Sequence, residues 1–218
     1  MMRRLLTYVA SLGIVMLFAG CAVPNKQVDY AAFKASRPRS ILVLPPLNES
    51  PDIKATYGML AQATAPLAES GYYVLPVALV DETFRQNGLT VPGDIHATPV
   101  AKLRQIFGAD AALYVTVAEY GSKYQVISSV TRVAASAKLV DLKTGDVLWN
   151  GTAVAATDSS SSGGGLIGML VNAAITQAIN HSLDASYKVA ATTSYRLLSA
   201  GQPGGILYGP RSPKYQSD

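Results

Sequence analysis

The chain holds a single cysteine and two histidines among its 218 residues. One cysteine cannot close an internal disulfide, so the fold must rest on its core alone. Neither histidine has a second histidine or a cysteine at metal-ligand spacing. No HExxH, paired-cysteine or Gly-x-Ser-x-Gly pattern occurs. His96 sits in "GDIHATP", read as a loop, and His181 lies near the end of a predicted helix. Charge is also scarce: Asp, Glu, Lys and Arg make up 15% of the chain. The net charge is +4, and Arg3 and Arg4 supply two of those charges. There is no lysine/arginine cluster of the kind that binds nucleic acid. Glycines 163–165 precede an apolar stretch without the Lys-Ser/Thr of a phosphate loop. These absences predict no catalytic residues, no metal and no cofactor. The acids at Asp81 and Glu82 read as a solvated helical turn.

The N-terminus carries the strongest signal present. Arg3-Arg4 is followed by Leu5–Gly20, a run without charge. It is shorter than the ~20 apolar residues a membrane-spanning helix needs, and Pro24-Asn25-Lys26 stop it. An uncleaved anchor is the competing reading. Ala19 and Gly20 are small, as a signal peptidase requires, and Cys21 follows them directly. "FAGC" resembles a lipobox, with Phe18 where leucine is usual. Residues 1–20 are therefore expected to be a lipoprotein signal, with Cys21 lipidated as the new N-terminus. Ala22, rather than an aspartate, points to the outer membrane. Residues 21–38 read as a lipidated N-terminus and irregular tether, 39–200 as one domain, and 201–218 as an extended tail.

Hydrophobic pattern orders the domain. "ILVL" (41–44) is a continuous apolar run ended by Pro45-Pro46, as in a strand covered on both faces. Tyr57, Leu60, Ala61, Thr64, Leu67 and Ala68 recur at helical spacing, with Pro66 expected to kink that helix and Gly71 to end it. "YYVLPV" is a second strand, predicted parallel to the first. Two helices follow, one closed by Gly88 and one opened by Thr98-Pro99. "ADAALYVTVAEY" is a third strand. Residues 123–157 read as an antiparallel hairpin in which Asp141 caps the turn and Gly145 takes positive φ. Val147, Trp149 and Gly151 are expected on one face. Residues 166–187 read as a long helix. The predicted class is α/β, a mixed sheet flanked by helices in the order β-α-β-α-α-β-β-β-α.

That order, with "ILVLPPLNES", "LRQIFGADAALYVTVAEY", "KLVDLKTGDVLWNGTA" and the closing "YGPRSPKY", resembles a family of Gram-negative outer-membrane lipoproteins of unknown function. One member is a meningococcal lipoprotein studied as a vaccine antigen. The resemblance implies a fold similar to the TolB N-terminal domain and the CsgG periplasmic domain. It assigns no catalytic residues, and only lipidation carries over, onto Cys21.

The late helix is apolar beyond one face. Ile167, Met169, Ala173 and Ile179 are candidate interface residues, with burial in the core as the alternative. The functional expectation is a non-enzymatic lipoprotein on the periplasmic side of the outer membrane. It would bind envelope protein partners as an accessory of a secretion or assembly complex. The alternatives are a regulator of peptidoglycan synthesis and an oligomeric CsgG-like secretion component.

Overall fold

The computed structural model describes residues 28–124, 129–158 and 185–217. Its elements are α1 (Ala31–Ser36), β1 (Ser40–Val43), β2 (Leu47–Asn48), α2 (Ala55–Glu69), β3 (Tyr73–Val74), α3 (Val77–Gln86), α4 (Pro92–His96), α5 (Val100–Phe107), β4 (Ala111–Tyr124), β5 (Ser129–Asp141), β6 (Val147–Asp158) and α6 (Ala185–Leu198). The six strands form one sheet of order β3-β1-β4-β5-β6, with β2 pairing with β4 beyond the end of β1. β1 is parallel to β3 and β4, whereas β4-β5 and β5-β6 are antiparallel. The sheet is mixed and flanked by helices, as the residue pattern predicts.

The apolar run of β1 has the expected cause. Ile41 and Val43 point into a core built with α1, α2 and α6. Leu42 and Leu44 point into a second core, with Val80, Phe84, Ile95 and Leu103 from α3, α4 and α5. All four are fully buried, and each such side chain contributes about 1.5–3 kcal/mol by leaving water. β5 is covered mainly on one side. Val133, Ala135, Ala137 and Leu139 face the first core, while Arg132 and Lys138 on the other face are exposed and only Ala134 and Val140 there are buried. Its sequence therefore alternates where that of β1 does not.

The hairpin turn follows the prediction closely. Asp141 Oδ1 accepts the amides of Lys143 and Thr144 at 2.6 and 2.9 Å, and Gly145 has φ +83°. The expected single face for Val147, Trp149 and Gly151 does not form. The ladder slips between Leu139 and Val140, so β6 carries an extra residue there. Leu148 and Trp149 are both buried, and Val147 is 47% exposed. A bulge resets the alternation at that point.

Pro66 does not break α2, which runs on to Glu69. Proline removes the donor for the carbonyl four residues back, at Gln62. Ser194 Oγ of α6 donates to that carbonyl at 3.0 Å. The sequence reading also misses two short helices, α1 and α4. α1 lies inside the expected tether, yet its Phe33 is only 4% exposed. At the other end Ile206 and Leu207 are buried in the same core. Packing thus crosses the expected boundaries at 39 and 200, because apolar residues just outside them find the open side of the sheet. Of the helix predicted over 166–187, all but the last three positions lie outside the described residues. α6 continues past it to Leu198.

Candidate functional site

The segment after α6 is not a free tail. Its backbone carbonyls are held by three aromatic side chains from distant parts of the chain. Trp149 Nε1 donates to the Gly204 carbonyl at 2.9 Å. The Tyr30 hydroxyl donates to Gly205 and the Tyr72 hydroxyl to Leu207, both at 2.6 Å. A buried tyrosine or tryptophan needs a partner for its polar atom, and an irregular segment has carbonyls to spare. Further on, the Gly209 amide donates to the Ser70 carbonyl at 2.8 Å and the Arg211 amide to the Gly71 carbonyl at 3.0 Å. This approach requires glycine on both sides. A Cβ on Gly209 would stand 2.6 Å from the Gly71 backbone, and one on Gly71 would stand 2.4 Å from the Ser212 nitrogen. Gly71 also has φ +98°. The Arg211 guanidinium lies 5.2 Å from the Tyr73 ring centroid, and Lys214 Nζ lies 5.6 Å from that of Tyr208.

Between α1 and this returning segment lies a cleft of about 230 Å³. Phe33, Pro38, Tyr72 and Leu207 form its buried lining, with half-buried Tyr208 and Tyr215 beside them. Lys34, Arg37 and Gln216 line it from the exposed side, and no acid is among the described lining residues. Arg37 (φ +48°) and Gln216 (φ +64°) are the two non-glycine residues with positive φ among the described residues. Both therefore stand at this cleft, in a conformation that costs side-chain-bearing residues energy.

Two titratable groups elsewhere are built into the fold. The His96 ring nitrogen Nε2 lies 2.9 Å from the Pro45 carbonyl, and its ring meets Tyr114 edge-on at 5.2 Å. Burial pulls its pKa down, nearby Lys138 adds to this, and the Pro45 bond opposes them. His96 ends α4 rather than sitting in a loop. Burial pushes the Asp141 carboxyl up, but the Ser36 hydroxyl, the Thr144 and Lys143 amides and Arg104 outweigh it. Its pKa is lowered overall. Both groups are satisfied by structural partners. Asp81, read as solvated, pairs with Arg85 at 3.1 Å across one helical turn.

Of the residues singled out from the sequence, Cys21, Ile167, Met169, Ala173 and Ile179 all lie outside the described residues. The cleft was not legible in advance. Its only trace is the apolar pair Ile206-Leu207 inside a stretch otherwise rich in glycine and proline. Among the described residues no group of His, Cys, Asp or Glu is placed to hold a metal. No helix among them is long and apolar enough to cross a membrane.

Comparison with known proteins places this geometry. A curated relative from Neisseria meningitidis serogroup B, "Putative lipoprotein NMB1124/NMB1162", is 51% identical over 93% of this chain and 95% of its own. The crystal structure of lipoprotein GNA1162 from Neisseria meningitidis superposes with a TM-score of 0.57 at 57% identity. The match covers 66% of this chain and all of that one. A weaker likeness, TM-score 0.47 at 16% identity, links it to a PelC dodecamer from Paraburkholderia phytofirmans, over 73% of this chain and 86% of that one. The family model described as "Putative lipoprotein GNA1162-like" matches residues 28–211, from the start of the described body through the returning segment, and the chain belongs to that family.

Proposed function

We propose that this protein is an outer-membrane lipoprotein, anchored through Cys21 on the periplasmic side, that works by binding envelope proteins rather than by catalysis. The observation that supports partner binding is the outer edge of the described sheet. β6 runs for 12 residues and pairs with β5 on one side only among the described strands. Half the backbone N–H and C=O groups of an edge strand point outward and invite another strand. One of them, the Val154 carbonyl, takes Arg196 Nη1 at 2.7 Å. Edges that avoid pairing usually carry lysine or proline. β6 carries neither, and Val147 and Val154 on it are 47% and 40% exposed. Ile167, Met169, Ala173 and Ile179 supply a second candidate interface in this reading. The satisfied states of His96 and Asp141 support a role without catalysis.

The test places a photo-crosslinking amino acid at Val154, at Met169 and, as a control, at exposed Lys102, in intact cells. Adducts to envelope proteins are expected from Val154 or Met169 and not from Lys102. They should disappear in Cys21→Ser, which should also leave an unprocessed precursor outside the outer-membrane fraction. Equal adducts from all three positions would refute the interface, and unchanged processing of Cys21→Ser would refute the anchor.

A further inference from the structure

The cleft between α1 and the returning segment combines an apolar lining with exposed cations, and we propose that it binds the phosphate headgroup of an anionic phospholipid at the membrane surface. Three observations converge on this. The first is charge. Arg37 lines the cleft beside Lys34, no described lining residue is an acid, although Asp29 stands next to Lys34 in the adjoining hollow, and Arg211 and Lys214 follow on the segment that forms the other wall. Arg37 is steadied by its Nε, which donates to the Lys34 carbonyl at 3.2 Å. No described residue pairs with its two Nη groups, and this planar fork suits a phosphate.

The second observation is shape. Phe33, Tyr72 and Leu207, largely buried, line the same cleft as the cations. A free phosphate would leave that surface unused, whereas a phospholipid brings glycerol and acyl carbons attached to its phosphate. Tyrosines with one wet end are the side chains that settle at a membrane interface.

The third is position, and here the inference rests on the anchoring of Cys21 proposed above. Six residues separate Cys21 from Val28, where the described body begins, and α1 follows at Ala31. The seven steps from Cys21 to Val28 span at most about 25 Å. A lipid on Cys21 therefore confines this end of the molecule to the neighbourhood of the bilayer, where headgroups are at high effective concentration. A single lipid group gains much from a basic patch beside it.

The test uses the whole mature chain, residues 21–218, with Cys21→Ser, so that binding does not depend on acylation. Vesicles of phosphatidylcholine are compared with vesicles containing about 30 mol% phosphatidylglycerol, in sedimentation at low and moderate salt. Preference for the anionic vesicles is expected. The pair Lys34→Glu/Arg37→Glu should weaken binding by about tenfold or more. The charge-matched pair Lys102→Glu/Lys188→Glu, on α5 and α6, should weaken it much less. Lys34→Gln/Arg37→Gln, which removes charge without reversing it, should give an intermediate loss, and it serves if the reversed pair folds poorly. Equal losses from cleft and control pairs, equal binding to neutral vesicles, or no binding at all would each overturn the proposal. None of these results bears on whether Cys21 is lipidated, which fractionation of Cys21→Ser in cells decides separately.

Discussion

Ser194 Oγ, buried on α6, donates to the Gln62 carbonyl in the middle of α2. Gln62 is the residue whose helical donor Pro66 removes. A further link between the end of α2 and the chain after α6 lies one turn on. Ser70 Oγ donates to the Pro66 carbonyl at 2.6 Å and accepts the Ala200 amide at 2.9 Å. The proline in α2 is thus matched to the element packed against it. A helix that would kink alone stays continuous because α6 satisfies the acceptor left open.

Ser194→Ala should lower stability by about 1–2 kcal/mol, since a buried carbonyl loses its donor. The diagnostic is its coupling to Pro66. In a Pro66→Ala background the amide of residue 66 can serve Gln62, so Ser194→Ala should cost less there. Chemical denaturation of the four proteins in this double-mutant cycle measures the difference. Strictly additive costs would show that the Ser194 bond does not compensate for the proline.

Gly209→Ala should release the returning segment. Its Cβ would stand 2.6 Å from the Gly71 carbonyl carbon and oxygen, both of which are backbone and cannot swing aside. A loss of about 2 kcal/mol or more is expected, at the upper end of ordinary point mutations. Trp149 is the one tryptophan and bonds the same segment, at Gly204. Its fluorescence should shift to the red in Gly209→Ala before the rest of the fold melts. Unchanged emission with unchanged stability would mean that the segment does not pack against Gly71.

Gly145→Val should cost about 1–3 kcal/mol through the backbone alone. The φ of +83° disfavours a β-branched residue, while the nearest atom to an added Cβ is 3.8 Å away, on Val100. Gly145→Asn should cost less, because asparagine tolerates the left-handed region. Thermal melting of both variants separates conformational strain from crowding, which would penalise them alike.

His96 gives the fold a dependence on pH. Its folded pKa lies below the ordinary value of 6.5, chiefly through burial. The unfolded chain therefore takes up the proton first as pH falls. The contribution of neutral His96 is fully present above about pH 6.5 and declines below it until the lowered folded value is reached. The melting temperature should fall between about pH 7 and 5. His96→Gln, which can still donate to Pro45, should flatten that part of the profile. An identical slope in the variant would assign the dependence to other groups.

The sequence by itself determined what depends on local pattern. The unbroken "ILVL" run specified a doubly covered strand, and Asp141 with Gly145 specified the turn. Neighbouring residues decide such features, through side-chain period and allowed φ. The lipidation expected at Cys21 is likewise read from four neighbouring residues, Phe18 to Cys21. Tertiary structure decided the rest. Pro66 broke nothing because Ser194, 128 positions later by their residue numbers, completes its helix. Val147 left its expected face because the β5 register slips opposite it. Apart from Tyr72, the residues of the cleft, from Phe33 to Gln216, come from the two ends of the described chain, where local composition suggests only tether and tail. Their meeting depends on aromatic hydroxyls finding distant carbonyls and on two glycines allowing backbone to touch backbone. No short window of sequence contains both halves of such a contact.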